Sequence, residues 1–551
     1  MKYSFKIDDP QRHFIQIAIE VNVGDRSYLD LQLPSWRPGR YELGNFAKNV
    51  KDFNAKDASG IALKTAKISK DLWRVQTNGV EKLMLNYQYY AAELNAGSTW
   101  LDENQLYINP INCCMYDPLK MDEECILALE IPDDYIIATS LKEDKRVLYA
   151  KDFHELVDSP IICSPTLQTF KYQYDNIDFY LCFQGEVKVD WDRLKKDFVD
   201  FTACQVKCFG NFPVKEYYFL FQITPYAAYH GVEHQRSTVI LLGPSYAIFN
   251  KDYDKLLGIS SHELYHTWNV KTIRPHDMLP YDYSQENYTE MGYVTEGVTT
   301  YMGDRTLYES GVFSEKEYFK ELESLLLRHF HNDGRRHYSV AASSFDTWLD
   351  GYVQGIPGRK VSIYVEGALI ALICDARIRK ATNHNRSLHD VMKEMYGGDD
   401  ILKGYDKNSY KALLEKVAGV SFDDVFIDLI EGKVDFMHYL EIALKEFGWK
   451  ITRKKSIHAS RQIGIKGVWS NKVYKLSAVA EKSAAEESGL IIGDKIHSLN
   501  GYKLNNDLDQ WLAYFQDDEI VLSFEREGAL KRVSLLKQNE NQFYTYKVEK
   551  N

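Results

Sequence analysis

Ser261–Trp268, with the sequence SHELYHTW, is the stretch of this 551-residue chain that decides its fold. Residues four apart on a helix stand on the same face, so His262 and His266 can offer two imidazole nitrogens to one metal ion. Glu263 lies beside them, within reach of a water on that metal. Zinc hydrolases need two fixed neutral ligands and a carboxylate base. The HExxH segment therefore predicts a zinc helix with Glu263 as the general base.

The surroundings of the motif predict a helix over residues 252–270. Its apolar members recur at helical spacing, and they are Leu256, Leu257, Ile259, Leu264 and Trp268. The motif itself contains no proline or glycine, and Pro275 follows soon after the expected helix end. An amphipathic helix whose histidines are only packed or solvated is the alternative interpretation. The uninterrupted helical context favours metal binding.

A catalytic zinc usually takes three protein ligands and a water, so a third ligand is needed. Glu296 is the best candidate, because it begins a second apolar helical run that continues through Met302 and Leu307. His, His and Glu form a recurrent ligand set in zinc peptidases. A first-turn glutamate favoured only by the helix dipole is the other interpretation of Glu296. His276, just past a proline in an expected loop, is a competing ligand that ranks below Glu296.

Several blocks of the sequence resemble one known family. They are Pro34–Tyr41, Gly231–Ser237, His262–Pro275, Tyr281–Thr289, Thr295–Gly297 and Tyr364–Leu369. Together they resemble the glycyl aminopeptidase family of zinc metallopeptidases, which are gluzincins with a C-terminal PDZ domain. The chain departs from the family at one position, because Glu366 stands where the family usually has lysine. The resemblance spans essentially the whole chain, so it implies the fold as well as the zinc site.

The pattern along the chain predicts a multidomain α+β protein. Residues 1–170 are expected to form a β-rich N-terminal domain, because runs such as Phe14–Val21, Leu83–Tyr89 and Ile126–Ile131 alternate apolar and polar side chains. Residues 171–455 begin with strands around a helix near 191–209 and continue with helices. That order is expected of a thermolysin-like, mostly helical catalytic domain.

Residues 456–551 resemble a PDZ domain. Gly489 and Gly493 suit turn positions that need unusual backbone angles. Lys495–Leu499 alternates as a strand, and Asn500–Gly501 is a strong turn signal. A PDZ domain can take an extended peptide by adding it to a sheet edge. A peptide-binding role and a docked, non-binding role are both open interpretations.

Composition limits the classes of partner. The formal net charge is −12 without a dense block of Lys or Arg, which argues against nucleic acid. No apolar run reaches the length of a membrane span, and the N-terminus has no apolar core of signal-peptide length, so membrane insertion is not expected. The eight cysteines form no CxxC pair, which suits reduced thiols in a cytoplasm. Export followed by removal of a signal is the alternative, because families of this kind include exported members.

Three more residues complete the predicted site. Tyr364 is expected to donate a hydrogen bond to the oxyanion, because it precedes Gly367 at the spacing of a catalytic tyrosine in distantly related aminopeptidases. Glu233 lies where those relatives carry the glutamate of a Gly-x-Met-Glu-Asn strand, and its carboxylate would pair with a free α-ammonium. Gly231 would let substrate approach the backbone closely. A packed phenol and an ordinary strand-edge glutamate are the structural alternatives.

These residues predict a zinc-dependent aminopeptidase with one Zn²⁺ per chain and peptides as substrates. Glu263 would take a proton from the attacking water and deliver it to the leaving amine. A preference for glycine or alanine at the substrate N-terminus is implied by the resemblance alone. A zinc endopeptidase is one alternative. Another is a peptide-binding protein whose PDZ domain acts while the zinc site is non-catalytic. It ranks low, because closed structural sites usually have four protein ligands, often cysteines.

Overall fold

The computed structural model of the protein describes residues 1–353, 355–398, 401–516, 519–535 and 542–551. Its first region is built from short strands. They are β1 (Lys2–Ile7), β2 (Phe14–Asn22), β3 (Tyr28–Gln32), β4 (Val50–Asp57), β5 (Thr65–Lys67), β6 (Leu72–Gln76), β7 (Lys82–Tyr90), β8 (Trp100–Leu101), β9 (Leu106–Ile108), β10 (Cys125–Glu130), β11 (Ile136–Thr139), β12 (Lys142–Asp144), β13 (Val147–Ala150) and β14 (Ile161–Ser164). Short helices join them, namely α1 (Pro110–Cys113), α2 (Phe153–Val157) and the 3-10 turns Pro10–Arg12 and Phe46–Asn49.

These strands form three sheets. The largest has the order β12-β13-β10-β1-β2-β7-β4, and the others are β11-β14-β9-β8 and β3-β6-β5. Alternate side chains of a strand face the same side, so β2 buries Ile15, Ile17, Ile19 and Val21 in the core of this region. The predicted β-rich N-terminal region is therefore confirmed.

A mixed sheet follows, with β15 (Gln168–Tyr174), β16 (Ile177–Gln184), β17 (Glu216–Ile223), β18 (Ala228–Glu233) and β19 (Ser237–Gly243). Its order is β15-β16-β17-β19-β18, which leaves β18 at the edge. The predicted helix α3 (Trp191–Phe209) crosses between the parallel strands β16 and β17. The edge strand β18 lies beside the helix that carries the HExxH motif.

Helices make up the middle of the chain, as predicted. They are α4 (Ser245–Ile248), α5 (Tyr253–Tyr265), α6 (Thr299–Glu309), α7 (Glu315–Phe330), α8 (Val340–Phe345), α9 (Thr347–Asp350), α10 (Ile363–Ala381), α11 (Leu388–Gly397), α12 (Lys407–Ala418) and α13 (Met437–Glu446). Two π-helical segments, Tyr293–Val298 and Val425–Ile430, and the 3-10 turns His276–Met278, Asp333–Arg336 and Ile401–Lys403 complete them.

The motif helix α5 ends at Tyr265, five residues before the predicted end at Val270. The amides of Thr267 and Trp268 donate to the carbonyls of Leu264 and Tyr265, three residues back. Bonds of this tighter, 3-10 type close the last turn of a helix. The chain therefore leaves the helix directly after the second histidine.

The C-terminal region returns to strands, with β20 (Trp449–Lys454), β21 (Ile465–Ser470), β22 (Val473–Val479), β23 (Lys495–Leu499), β24 (Tyr502–Lys503), β25 (Val521–Arg526), β26 (Ala529–Ser534) and β27 (Thr545–Lys550). Its helices are α14 (Ala459–Gln462), α15 (Ala484–Glu487) and α16 (Leu508–Tyr514). One sheet has the order β21-β22-β23-β25-β26, with β24 paired to β23, and it encloses an apolar cluster of its own.

The end of the chain packs back onto the helical part. Strands β20 and β27 pair antiparallel, and Trp449, Tyr546 and Val548 lie in the helical core. Among the described residues no helix is both long and apolar enough to cross a membrane.

Candidate metal centre and substrate cleft

The two histidines of the motif converge as the helical spacing predicts. Nε2 of His262 lies 3.0 Å from Nε2 of His266. Nδ1 of His266 lies 2.7 Å from the carbonyl oxygen of Asn269, which favours a proton on Nδ1 and leaves Nε2 free as a ligand. Asn269 is brought there because the chain turns back directly after α5.

Glu296 joins the two histidines from the π-helical segment Tyr293–Val298. Its Oε2 lies 3.7 Å from Nε2 of His262 and 3.4 Å from Nε2 of His266. Ligand atoms of a tetrahedral zinc stand about 3.3 Å apart when each bond is about 2.0 Å. The three donor atoms therefore fit a zinc ion, and their nitrogen and oxygen chemistry suits it.

Glycines allow the helices around this centre to approach closely. A Cβ on Gly303 of α6 would lie 3.1 Å from Cα of His262. A Cβ on Gly297 would lie 2.3 Å from Cα of Gly367 in α10. A side chain at either crossing would push the two segments that meet there apart. The small residues thus bring Glu296 and the start of α10 next to the zinc helix.

Two residues that sequence reasoning did not assign hold Glu296 in place. The hydroxyl of Tyr41 donates to Oε1 of Glu296 at 3.0 Å, across 255 positions in the chain. Nδ2 of Asn269 donates to the carbonyl oxygen of Val294 at 2.9 Å and to Oγ1 of Thr299 at 3.0 Å. Such contacts orient metal ligands. In the sequence these two residues stood out only as members of the block Pro34–Tyr41 and of the segment after the motif. Neither block indicated that its residue contacts Glu296 or the segment around it.

Glu263 is buried beside the donor atoms. Burial raises the pKa of its carboxyl, His266 opposes this shift, and Glu233 and Glu296 add to it. Its Oε2 has no hydrogen-bond partner within the described part of the chain. A Cβ on Gly231 would lie only 2.1 Å from Oε1 of Glu263. The close approach at Gly231 is thus made by the Glu263 carboxylate, which has an unpaired oxygen available to a ligand.

Glu233 ends the edge strand β18 and faces the same space. One carboxylate oxygen of Glu233, one of Glu263 and a nitrogen of His266 lie within 4.8 Å of one another. A Cβ on Gly39, whose φ is +77°, would lie 2.3 Å from Oε2 of Glu233. The loop of the N-terminal region that contains Gly39 therefore closes over this carboxylate.

Tyr364 lies in the first turn of α10, with its ring centroid 6.4 Å from that of His262. Burial and the charge of Glu296 raise the pKa of its phenol well above the ordinary value, so the hydroxyl remains a donor at neutral pH. The structure thus places Tyr364 beside the donor atoms.

Two other residues singled out in the sequence lie elsewhere. His276 is exposed, contacts Asp277 at 3.4 Å and is not part of the donor group. Glu366, in the position where the family usually has lysine, is buried and lies 2.7 Å from Nδ1 of His329. A histidine therefore accompanies the carboxylate at this position.

Comparison with known proteins agrees with this geometry. Residues 2–165 match the peptidase M61 N-terminal domain, and residues 255–370 match the M61 glycyl aminopeptidase family, together just over half of the chain. A search of the curated proteins gives no significant match.

Solved structures give further matches. An aminopeptidase N family protein from Idiomarina loihiensis is 26% identical and superposes with a TM-score of 0.92, covering 100% of this chain and 98% of that one. An M1 zinc metallopeptidase from Deinococcus radiodurans is 13% identical with a TM-score of 0.46, covering 79% of this chain and 94% of that one. The family matches, together with the buried His, His and Glu donors, lead to one conclusion: the chain belongs to the M61 glycyl aminopeptidase family and is a zinc metallopeptidase.

Proposed function

We propose that the protein removes glycine or alanine from the free N-terminus of peptides, with one zinc ion per chain held by His262, His266 and Glu296. The observation that supports this most is a second group of possible ligand side chains beside the metal donors. Glu233, Glu263 and His266 offer ligand atoms within 4.8 Å of one another, next to the three metal donors. A base and an ammonium-binding carboxylate thus share one buried space.

The bound zinc would polarise the scissile carbonyl and acidify a water. Glu263 takes the proton from the attacking water and transfers it to the nitrogen of the leaving amine, for which its unpaired Oε2 is suited. Tyr364 donates its phenolic hydrogen to the oxyanion of the tetrahedral intermediate. Tyr41 and Asn269 keep Glu296 oriented.

Glu233 pairs with the α-ammonium of the substrate. The cleft is here the space between Glu233, Glu263 and the three metal donors. The Glu233 carboxylate is buried beneath Gly39, so a group larger than an ammonium meets a closed end of this cleft. The preference for glycine or alanine comes from the family, while the requirement for a free amine comes from this charge. An endopeptidase, which needs no charge on the substrate N-terminus, is the alternative.

We further propose three domains, residues 1–170, 171–455 and 456–551, the second thermolysin-like and the last a PDZ domain. The separate apolar cluster of the C-terminal sheet supports the last boundary. Contacts of His337 with Glu481 at 2.8 Å and of Lys547 with Glu323 at 2.6 Å favour a docked PDZ domain. A peptide ligand would instead add to the edge strand β21. The eight cysteines form no disulfide, which supports a reducing compartment such as the cytoplasm.

The purified protein is expected to contain one zinc per chain. Replacing His262 or His266 by alanine should remove the metal, and Glu296→Gln should weaken its binding strongly, because each change deletes one donor. Metal analysis of the purified variants measures this. His276→Ala is the matched control, since that exposed histidine lies outside the donor group, and it should retain full zinc. Full zinc in either His262→Ala or His266→Ala would contradict the site.

Glu263→Gln should keep zinc and the fold but lose about 100- to 10,000-fold in kcat, because only the base is removed. Steady-state kinetics together with metal analysis test this. Glu290→Gln, at an exposed position, makes the same change of charge away from the cleft and should leave kcat unaltered. Near-normal turnover by Glu263→Gln would disprove the general-base role.

Tyr364→Phe should lower kcat by about 100- to 1,000-fold and change KM little, as is expected for a donor used in the transition state. Tyr246→Phe, at an exposed tyrosine, serves as the control. If the effect is confined to KM, Tyr364 binds substrate in its ground state and the oxyanion donor is another group.

Peptides that begin with glycine or alanine should be cleaved, and their N-acetylated forms should not. Acetylation removes the charge that pairs with Glu233 and adds bulk at a closed end. Glu233→Ala should lower the rate of hydrolysis of free peptides more than that of blocked ones. Comparing the hydrolysis of free and acetylated forms of one peptide is the measurement. Equal rates for both forms with the wild-type protein would indicate an endopeptidase.

A further inference from the structure

One loop of the N-terminal region forms a wall of the cleft. Within the block Pro34–Tyr41, Tyr41 reaches Glu296 and Gly39 covers Glu233. Arg37 lies in the same loop and is only 6% exposed. A guanidinium stays charged in proteins, so its burial is costly unless an anion or several acceptors compensate it.

Arg37 has no such compensation from the described residues. No carboxylate among them lies within 4.0 Å of its guanidinium, and its hydrogen bond to the carbonyl oxygen of Pro38 is 3.5 Å long. The other arginine that is buried in the described part of the chain, Arg305, has Oε1 of Glu309 at 2.7 Å. Arg40, three residues after Arg37, has Oε2 of Glu42 at 2.6 Å. Arg37 therefore differs from both in lacking a counter-charge.

The guanidinium has space for a ligand. It lines a cavity of about 330 Å³ together with Ser98, Thr99 and Asn112. A Cβ on Gly97 would lie 2.0 Å from Cζ of Arg37, so the absence of a side chain at Gly97 accommodates the guanidinium. Charged side chains line it too, namely Arg40, Glu42, Lys48 and Glu93. Arg40 pairs with Glu42, whereas Arg37 faces this cavity without a carboxylate within 4.0 Å among the described residues.

Arg37 also lies close to the carboxylates of the site. Burial lowers its pKa, Tyr352 and Glu233 oppose that shift, and the neighbouring charge of Arg40 adds to it. Glu233 is thus near Arg37 in space, although the two form no ion pair. Gly39, two residues after Arg37, lies against the Glu233 carboxylate, so a substrate paired with Glu233 would lie beside this loop.

We propose that Arg37 binds a carboxylate of the peptide substrate. This inference rests on the proposed function, in which Glu233 takes the α-ammonium. The planar fork of a guanidinium matches a carboxylate with two parallel hydrogen bonds, and such a pair is strong when it is buried. The carboxylate is either the C-terminus of a short peptide or an acidic side chain, and both present the same group to Arg37.

Four peptides distinguish these sources. Trialanine is compared with its C-terminal amide, and the amide of Ala-Glu-Ala is compared with the amide of Ala-Gln-Ala. With the wild-type protein, one of the two ratios of kcat/KM should be roughly tenfold or more in favour of the carboxylate, as expected for a charged hydrogen bond. The first ratio identifies a C-terminal carboxylate, and the second identifies an acidic side chain.

Arg37→Gln should bring that ratio to within about twofold of one, because the paired charge is lost. Arg40→Gln is the matched control, since it removes the same charge from the same cavity at a residue that already has a partner, and it should keep the wild-type ratio. Each ratio compares kcat/KM for two substrates measured on one protein preparation, so a lower folded fraction of a variant does not change the ratio. Should Arg37→Gln not fold, Arg37→Lys should still reduce the ratio by about threefold or more, because it loses the fork.

Ratios near one for both pairs with the wild-type protein would overturn the assignment, as would a ratio that survives in the Arg37 variants. The proposed function is judged separately, by whether the wild-type protein cleaves the free trialanine amide and spares its acetylated form. Cleavage of that amide with no preference for a carboxylate overturns the role of Arg37 alone. Failure to cleave any of the peptides overturns both.

Discussion

The close approach of α5, α10 and the helix that the π-helical segment forms with α6 is the constraint on which the rest of the structure depends. Gly303 lets α6 pack against the backbone at His262, and the contact of Gly297 with Gly367 brings the π-helical segment against α10. A methyl group on Gly297 would lie 2.3 Å from Cα of Gly367 and force these segments apart, and one on Gly303 would lie a tight 3.1 Å from Cα of His262. Glu296 and Tyr364 reach the two histidines because these crossings carry no side chain.

The N-terminal region completes this centre from the opposite side. The hydroxyl of Tyr41 donates to Oε1 of Glu296, and Gly39 lies directly against the carboxylate of Glu233. The same loop carries Arg37. The β-rich N-terminal region thus provides one wall of the cleft, although the metal donors lie on helical segments of the next region. The hydrogen bond from Tyr41 to Glu296 is of the strong kind, because its acceptor is a buried charged group.

The charge of the cleft agrees with the ligands proposed for it. Glu233, Glu263 and Glu296 are all buried in one neighbourhood, and buried carboxylates repel one another unless cations lie between them. The proposed ligands, a metal ion among His262, His266 and Glu296 and an ammonium at Glu233, are such cations. Arg37 lies close to these carboxylates, and its guanidinium faces a cavity without a carboxylate within 4.0 Å among the described residues, which is the basis of the anion proposed for it.

The sequence by itself determined the elements and the local part of the site. Alternating residues predicted strands such as β2, and the sequence predicted a helix near 191–209, which α3 matches. The spacing of apolar residues predicted α5 with its start one residue early. His262 and His266 meet because four residues make about one helical turn, a rule that needs no other part of the chain. Their roles, like those of Glu233, Glu263, Glu296 and Tyr364, remain predictions.

Only the tertiary structure decided the contacts between distant segments. Nothing local indicates that Tyr41 bonds Glu296, that Gly303 lies against His262 or that Arg37 lacks a partner, because these relations join residues far apart in the chain. The early end of α5 belongs here too, since the turn after Tyr265 places Asn269 against both His266 and the π-helical segment. Periodicity records which face of an element is apolar, whereas packing alone determines what that face meets.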